Sequence, residues 1–356
     1  MTNKRLYLPS TPLNLLLSVA MALQAPKSVQ AKLIYIDQRE VKHNRFLDTL
    51  RNWSGSPFVQ ADVLSGAAKG LAKLTERRAN FAWLTKYLWD WMPAEVVVGS
   101  DRRIEFQYVM SLLEQHQPAQ GIYLDDGLYS YAGKPTTWFN SKLSQWLHRV
   151  IYGDWWQEPE TVGASPWIKQ AWLFQPAQAI SPLQQKDLQR IEPEWLMTPV
   201  MRDFAQALWR AFSRQTELPD CDVLLLLPHP NNVLKMPDYE PAVRRRLTQW
   251  LDQGKRVAVK YHPRVGDEDP WQLSVKTGVT LLPSALPTEV VYLLLPSGVT
   301  VAADVGTAVL TAHWLRPDLS LQVELNSEDA FQARFLPIMR RLGIPIMENK
   351  EKNHVA

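Results

Sequence analysis

The chain has 356 residues, enough for two domains at roughly 150 residues each. Its 39 Lys and Arg against 36 Asp and Glu leave a formal charge of +3, too balanced for a dedicated nucleic-acid binder, whose basic excess is concentrated. A hydrophobic fraction of 46% with 21% charged residues excludes wholesale disorder, and the single cysteine, Cys221, excludes an intrachain disulfide and a multi-cysteine zinc cluster.

In chain order, residues 5–8 read as a short strand, residues 9–12 as a turn and residues 13–24 as a helix. The apolar run 13–23 follows Lys4 and Arg5 and has the charge order of an export signal. Asn14 and Ser18 interrupt it, Pro9 and Pro12 precede it and a strand-like segment follows at 32–36, so it is read as the first helix of a globular domain. No stretch reaches the roughly 18 apolar residues of a spanning helix. A cytoplasmic protein is expected, with peripheral attachment to the inner face of the cytoplasmic membrane left open.

Residues 32–37 form the next strand, and two strands joined through a helix suggest a parallel βαβ start. Helical periodicity recurs over 41–53 and 66–91, a buried strand over 96–99, a helix over 103–116 and a strand over 121–125. From 136 to 209 the pattern loosens, and eight of the 15 tryptophans fall there: Trp138, Trp146, Trp155, Trp156, Trp167, Trp172, Trp195 and Trp209. So many large rings suggest helices packed beside a cleft rather than a floppy linker.

A second α/β unit opens with the strand 222–227, short and apolar enough to be buried on both faces. A loop follows at 228–232, then a helix at 239–253, strands at 256–260 and 279–282, and a helix at 288–295. A strand at 299–303, a helix from 307, a last strand at 319–325, a helical segment at 330–342 and a fraying tail from 348 complete the pattern. The expected domains are 1–210 and 211–335, with 336–356 as a helix end and tail. Two Rossmann-like domains facing a cleft resemble the GT-B architecture, a pattern that does not by itself give a reaction.

Asp125-Asp126-Gly127 ends a predicted strand, where open α/β sheets hold ligands. One carboxylate raises the pKa of its neighbour, as a general base requires, although Asp-Gly is also a common turn. The pair is contiguous rather than a spaced Asp-x-Asp, so no metal site is implied. His262, in Lys260-Tyr261-His262-Pro263-Arg264, ends another strand. It either meets a phosphate, with Arg264 beside it, or caps its loop. His229-Pro230 repeats the motif after the preceding strand, and pattern alone does not rank the two.

Glu289 begins a helix, suited either to a ribose diol or to the helix dipole. Asp304-Val305-Gly306-Thr307 opens another helix, as a phosphate site or an ordinary cap. Gly-x-Gly-x-x-Gly, Walker and His-Glu-x-x-His motifs are missing, and Ser165, Ser181 and Ser297 lack a nucleophile elbow. Arg244-Arg245-Arg246 reads as a solvated helix face, with anionic lipid or glycan as the alternative.

Taken in order, Thr11-Pro12-Leu13-Asn14, Asp125-Asp126-Gly127, Lys260-Tyr261-His262-Pro263-Arg264, Pro287-Thr288-Glu289 and Gly306-Thr307 form a set. It resembles the bacterial sialyltransferases and polysialyltransferases, which share an acidic-acidic-Gly motif, a His-Pro motif and a later Ser/Thr motif. Residues 98–107 look like the segment before the acidic motif in that group. The resemblance spans about residues 6 to 315 and implies a GT-B fold, CMP-sialic acid as donor, inversion, and neither metal nor further cofactor.

By motif, Asp125 would be the general base and Asp126 its reserve, and His262 would stabilise or protonate the departing CMP phosphate beside Pro263. Glu289 would hold the ribose, Gly306 and Thr307 the phosphate, and Asp101, Arg102 and Arg103 the acceptor. The implied partners are a nucleotide-sugar donor and a glycan or glycolipid acceptor of a surface polysaccharide such as capsule or lipooligosaccharide, and no nucleic acid. Gly306 stands where the family commonly has the first of two hydroxyls, and +3 is modest for gripping a long polyanion, so single transfer and polymerisation both stay open. The alternatives are another cytidine donor, such as CMP-Kdo or CDP-glycerol, and a non-catalytic relative that binds nucleotide or glycan.

Overall fold

Strand β1 (Asn3–Leu8) buries Leu6, Tyr7 and Leu8 completely, then breaks at Pro9. Thr11 restarts the chain as a helix by accepting a hydrogen bond from the Asn14 N–H at 3.2 Å, with Pro12 at the first helical position. The resulting helix α1 (Pro12–Gln24) buries every residue from Leu13 to Ala22. A helix apolar all round is a core helix, which is why its sequence has the look of an export signal. In a computed structural model of the chain, residues 3–133, 148–234, 236, 238–304, 306–325, 333 and 335–348 are described. It divides into two compact units, Met1–Met201 and Arg202–Ala356.

The first unit continues with β2 (Val29–Gln38), α2 (Arg45–Asn52), β3 (Phe58–Ser65), α3 (Leu71–Asp90), β4 (Glu95–Val98), α4 (Ile104–His116) and β5 (Gln120–Leu124). After these come β6 (Ile168–Leu173) and β7 (Asp187–Arg190). The seven strands form one parallel sheet in the order β3-β2-β1-β4-β5-β6-β7. On one face Leu84 and Leu88 of α3 and Phe106, Val109 and Leu113 of α4 pack against Leu6, Leu8, Ile34, Val96 and Val98. Each such side chain contributes about 1.5–3 kcal/mol by leaving water.

Several expected boundaries move. The helix expected over 41–53 begins only at Arg45, because Asn44 caps it through a 3.1 Å bond from the Leu47 N–H. The helix expected over 66–91 starts at Leu71, after Gly70 at φ 59°. Strand β3 was not expected at all: it is an edge strand, and its register shifts against β2 spoil the two-residue alternation that marks a strand. The Trp-rich segment is not simply helices, since β6 and β7 extend the sheet through it. Trp138 and Trp146 lie outside the described residues.

The second unit holds β8 (Val223–Leu226), β9 (Val257–Lys260), β10 (Val279–Leu281), β11 (Thr300–Asp304), β12 (Ser320–Leu325) and β13 (Ile346–Glu348). They form a parallel sheet ordered β10-β9-β8-β11-β12-β13. Strand β12 is therefore not the last; β13 adds a further one from a segment read as tail, too short to show any periodicity. In both sheets the order reverses once, between β1 and β4 in the first and between β8 and β11 in the second. Ligands of open α/β sheets collect outside the carboxyl ends of the strands at such reversals. Among the described residues, no helix is long and apolar enough to cross a membrane.

Candidate active site

Three loops meet at the reversal of the first sheet. One follows β1 and carries Ser10 and Thr11 into the first turn of α1, where Asn14 sits, one follows β4 and carries Gly99 to Arg103, and one follows β5 and carries Asp125 to Gly127. The Asn14 amide Nδ2 donates to the Asp125 carbonyl at 3.2 Å, tying α1 to the third loop. Gly99 makes room for it: a Cβ there would lie 1.9 Å from Asn14 Oδ1.

The adjacent carboxylates have opposite surroundings. Asp125 is 0% exposed and its oxygens are fully engaged. Oδ1 accepts from the Gly127 N–H at 2.9 Å and the Ser130 hydroxyl at 2.7 Å, while Oδ2 accepts from the Phe174 N–H at 3.2 Å and the Tyr131 hydroxyl. Burial pushes its pKa up and these donors pull it back. Asp125 thus pins the loop after β5 to the end of β6. Asp126 is half-buried, and its pKa rises to about 7, chiefly through burial and further through Asp125, with Arg103 and a bond from the Asn14 side chain opposing the rise. One carboxyl is a brace, and its neighbour is partly open and poised near neutrality.

Asp101 is another brace: fully buried, it accepts the Gly163 N–H at 2.8 Å and the Ser165 N–H at 2.7 Å. Its neighbours Arg102 and Arg103 line a cavity of about 240 Å³ together with Lys73, Arg77, Tyr152 and Trp156. Arg102 pairs with Glu158, and Arg103 pairs with Asp37 while its Nε donates to Ser10 Oγ at 3.1 Å. Asp37 also takes Arg77 at 3.2 Å, and Arg77 reaches the buried Glu105. Sequence reading did not single out Asp37, Arg77 or Glu105. The signal for Asp37 was its place at the carboxyl end of a predicted strand and that for Glu105 its place in the segment 98–107, whereas Arg77 sits in a helix with nothing local to mark it.

In the second unit, β8 and β9 are neighbours in register, Leu226 opposite Lys260, and each runs into a His-Pro loop. His229 and His262 meet with ring centroids 4.7 Å apart and planes tilted by 60°. Each Nδ1 accepts a backbone N–H two residues on, from Asn231 at 3.1 Å and from Arg264 at 3.2 Å. Burial, aided by the positive potential of Lys260 and Arg264, pushes His262 down to about 4, so it is a neutral imidazole at pH 7. Pro263 is exposed beside it.

Lys260 is buried, donates to the Ser284 carbonyl at 2.8 Å, and has its pKa pulled to about 8 by burial against the opposing pull of Glu289. Glu289 sits in the first turn of the helix Thr288–Leu294, raised by burial and lowered by Lys260 and the Thr311 hydroxyl. Gly306 precedes the helix Thr307–Leu315 with extended backbone and no side-chain cap, at the end of β11 and next to β8 in the sheet. Asp304, at the end of β11, is half-buried beside Tyr239, and burial of its carboxyl raises its pKa to about 6 against the pull of the Tyr239 hydroxyl. Arg244 is held by Glu240 at 2.6 Å and by the Trp271 carbonyl at 2.7 Å, which accounts for it within its own unit. Among the described residues, no three His, Cys, Asp or Glu side chains cluster as a metal site requires.

No family model and no curated protein matches the sequence. Solved structures do match in fold. A galactoside α-2,3-sialyltransferase from Photobacterium phosphoreum superposes with a TM-score of 0.60 at 10% identity, covering 98% of each chain. The GT-B domain of a sialyltransferase from Photobacterium damselae gives 0.57 at 12% identity, over 97% of this chain and 99% of that one. A UDP-N-acetylglucosamine 2-epimerase from Rickettsia bellii gives 0.50 at 11%, over 98% of this chain and 84% of the other. At such identities the likeness establishes the architecture: the fold is GT-B.

Proposed function

We propose that the chain is a glycosyltransferase that moves sialic acid from CMP-sialic acid to a hydroxyl of a glycan acceptor, inverting the anomeric carbon without a metal. The observation that carries this reading is the divided Asp125-Asp126 pair: a saturated brace beside a half-buried carboxyl with a pKa of about 7, at the reversal of the first sheet. A general base works best with a pKa near the operating pH. We therefore assign the base to Asp126 and the loop anchor to Asp125, reversing the order that the motif resemblance suggests.

In the proposed reaction Asp126 takes the proton of the acceptor hydroxyl. The freed oxygen bonds to the anomeric carbon from the face opposite the phosphate, the bond from that carbon to the phosphate oxygen breaks, and its electron pair leaves with CMP. The Nε2–H of neutral His262 donates to the departing phosphate, with Arg264 adding positive potential. Glu289 accepts the ribose hydroxyls, and Gly306 and Thr307 offer backbone and hydroxyl donors to phosphate. Arg102 and Arg103 contact the acceptor from the cavity they line, while Asp101 only fixes their loop.

The test is a thermal-shift panel of CMP, UDP and GDP. Stabilisation by CMP alone supports the donor assignment. Indifference to CMP rejects it, and stabilisation by UDP alone transfers the reading to another nucleotide-dependent enzyme of this fold.

A further inference from the structure

The His-Pro motif occurs twice, at the carboxyl ends of adjacent parallel strands, and sequence pattern does not rank the copies. The structure brings their rings together at 4.7 Å. A ring nitrogen that accepts a hydrogen bond carries no proton, so an acceptor Nδ1 fixes the neutral imidazole as the Nε2–H tautomer. Both His229 and His262 are fixed this way, by the Asn231 and Arg264 N–H groups. The result is two half-buried rings side by side, each left with one N–H donor. That tautomer opposes metal binding through Nε2, since a ligating nitrogen needs its lone pair. A histidine that merely caps its loop uses Nδ1 alone, which leaves the approach of the two rings without a purpose.

We propose that His229 and His262 together form an N–H clamp for one oxyanion, a phosphoryl group, with His229 supplying the second donor. Identifying that phosphoryl group as the leaving phosphate of the donor rests on the function proposed above; the clamp itself rests on ring geometry and tautomer. Paired N–H donors suit a phosphate, which has several acceptor oxygens. Lys260 and Arg264 add positive potential at His262.

The test follows the histidine side-chain nitrogens by long-range ¹H–¹⁵N NMR in the full chain while CMP, UDP, inorganic phosphate or cytidine is added. Both rings are expected as Nε2–H tautomers, and both Nε2 signals should move together with a phosphorylated ligand and stay still with cytidine. Movement of His262 alone, or of neither ring with any of the three phosphorylated probes, overturns the clamp. Joint movement with UDP but not CMP keeps the clamp and rejects the cytidine donor, whereas CMP moving only His262 keeps the donor and rejects the clamp. His229→Ala should weaken binding of the phosphorylated ligand about tenfold, the scale of one hydrogen bond to a charged group, with His229→Gln recovering part of the loss. An unchanged affinity in His229→Ala, with His262 still in its Nε2–H form, also overturns the proposal.

Discussion

At the residue scale, everything turns on two aspartates that sequence cannot separate. Asp126→Asn is expected to lower transfer on the order of 10²–10⁴-fold, the usual contribution of a positioned base, while leaving CMP affinity unchanged. Asp125→Asn puts an amide N–H₂ where the pocket already presents donors from Gly127, Ser130, Tyr131 and Phe174, so its effect should be on folding, a loss of about 1–3 kcal/mol in denaturant melts. Full activity in Asp126→Asn would remove the base from that position. Asp126 also has a stability signature. Its folded pKa of about 7 lies above the ordinary 3.8, so its contribution is fully present below about pH 3.8 and is lost as pH rises through about 7. Asp126→Asn is expected to escape that loss and to melt higher than the parent chain at pH 8, with the two converging in acid. A lower melting temperature for the variant at pH 8 would contradict the raised pKa.

At the element scale, the candidate residues lie where loops leave the strands, and helix α1 braces the loop after β5 through Asn14. Gly99→Ala would drive a Cβ into the Asn14 amide, which bonds the Asp125 carbonyl and the Asp126 side chain. It should reduce transfer and broaden the Asn14 side-chain NMR signals while the second unit's nucleotide affinity holds; an Asn14 amide and turnover both unaltered would show the close approach to be dispensable. Strands with continuous apolar runs, such as Val96 to Val98 and Val223 to Leu226, were legible because burial on both faces leaves no polar positions. Strand β3 was not, since an edge with shifted register loses its alternation, and neither was β13, which has only three residues. The places of Asp125, Asp126 and His262 just beyond strand ends were legible. What separated Asp125 from Asp126 was side-chain direction: Gly127, Ser130 and Tyr131, close in sequence, donate to Asp125, and so does the Phe174 N–H from the segment after β6, 49 residues away. The meeting of His229 and His262 depends in the same way on β8 pairing with β9.

At the scale of the whole molecule, each unit contributes one half of the proposed chemistry, a proton acceptor on the first and a phosphate holder on the second. Both use the same device, a parallel sheet with one reversal of strand order, and this repetition is what the GT-B likeness at 10–12% identity preserves. The balanced charge, +3 overall, suits short-range recognition by a few placed groups better than a grip on a long polyanion. The tryptophans are mainly structural. Trp172 packs on Trp195 at 5.2 Å, Trp155 on Tyr108 at 5.6 Å, and Trp209 is buried with its N–H on the Gln215 carbonyl at 3.0 Å. Trp156 lies in the wall of the 240 Å³ cavity beside Arg102 and Arg103, buried and stacked on His148 at 4.4 Å. The most direct measurement is transfer from labelled CMP-sialic acid across an array of glycan acceptors, run side by side with the parent chain and Asp126→Asn. Label is expected on at least one acceptor with matching CMP release for the parent chain, and neither for the variant; no label and no CMP release from the parent chain with any acceptor would contradict the proposed function.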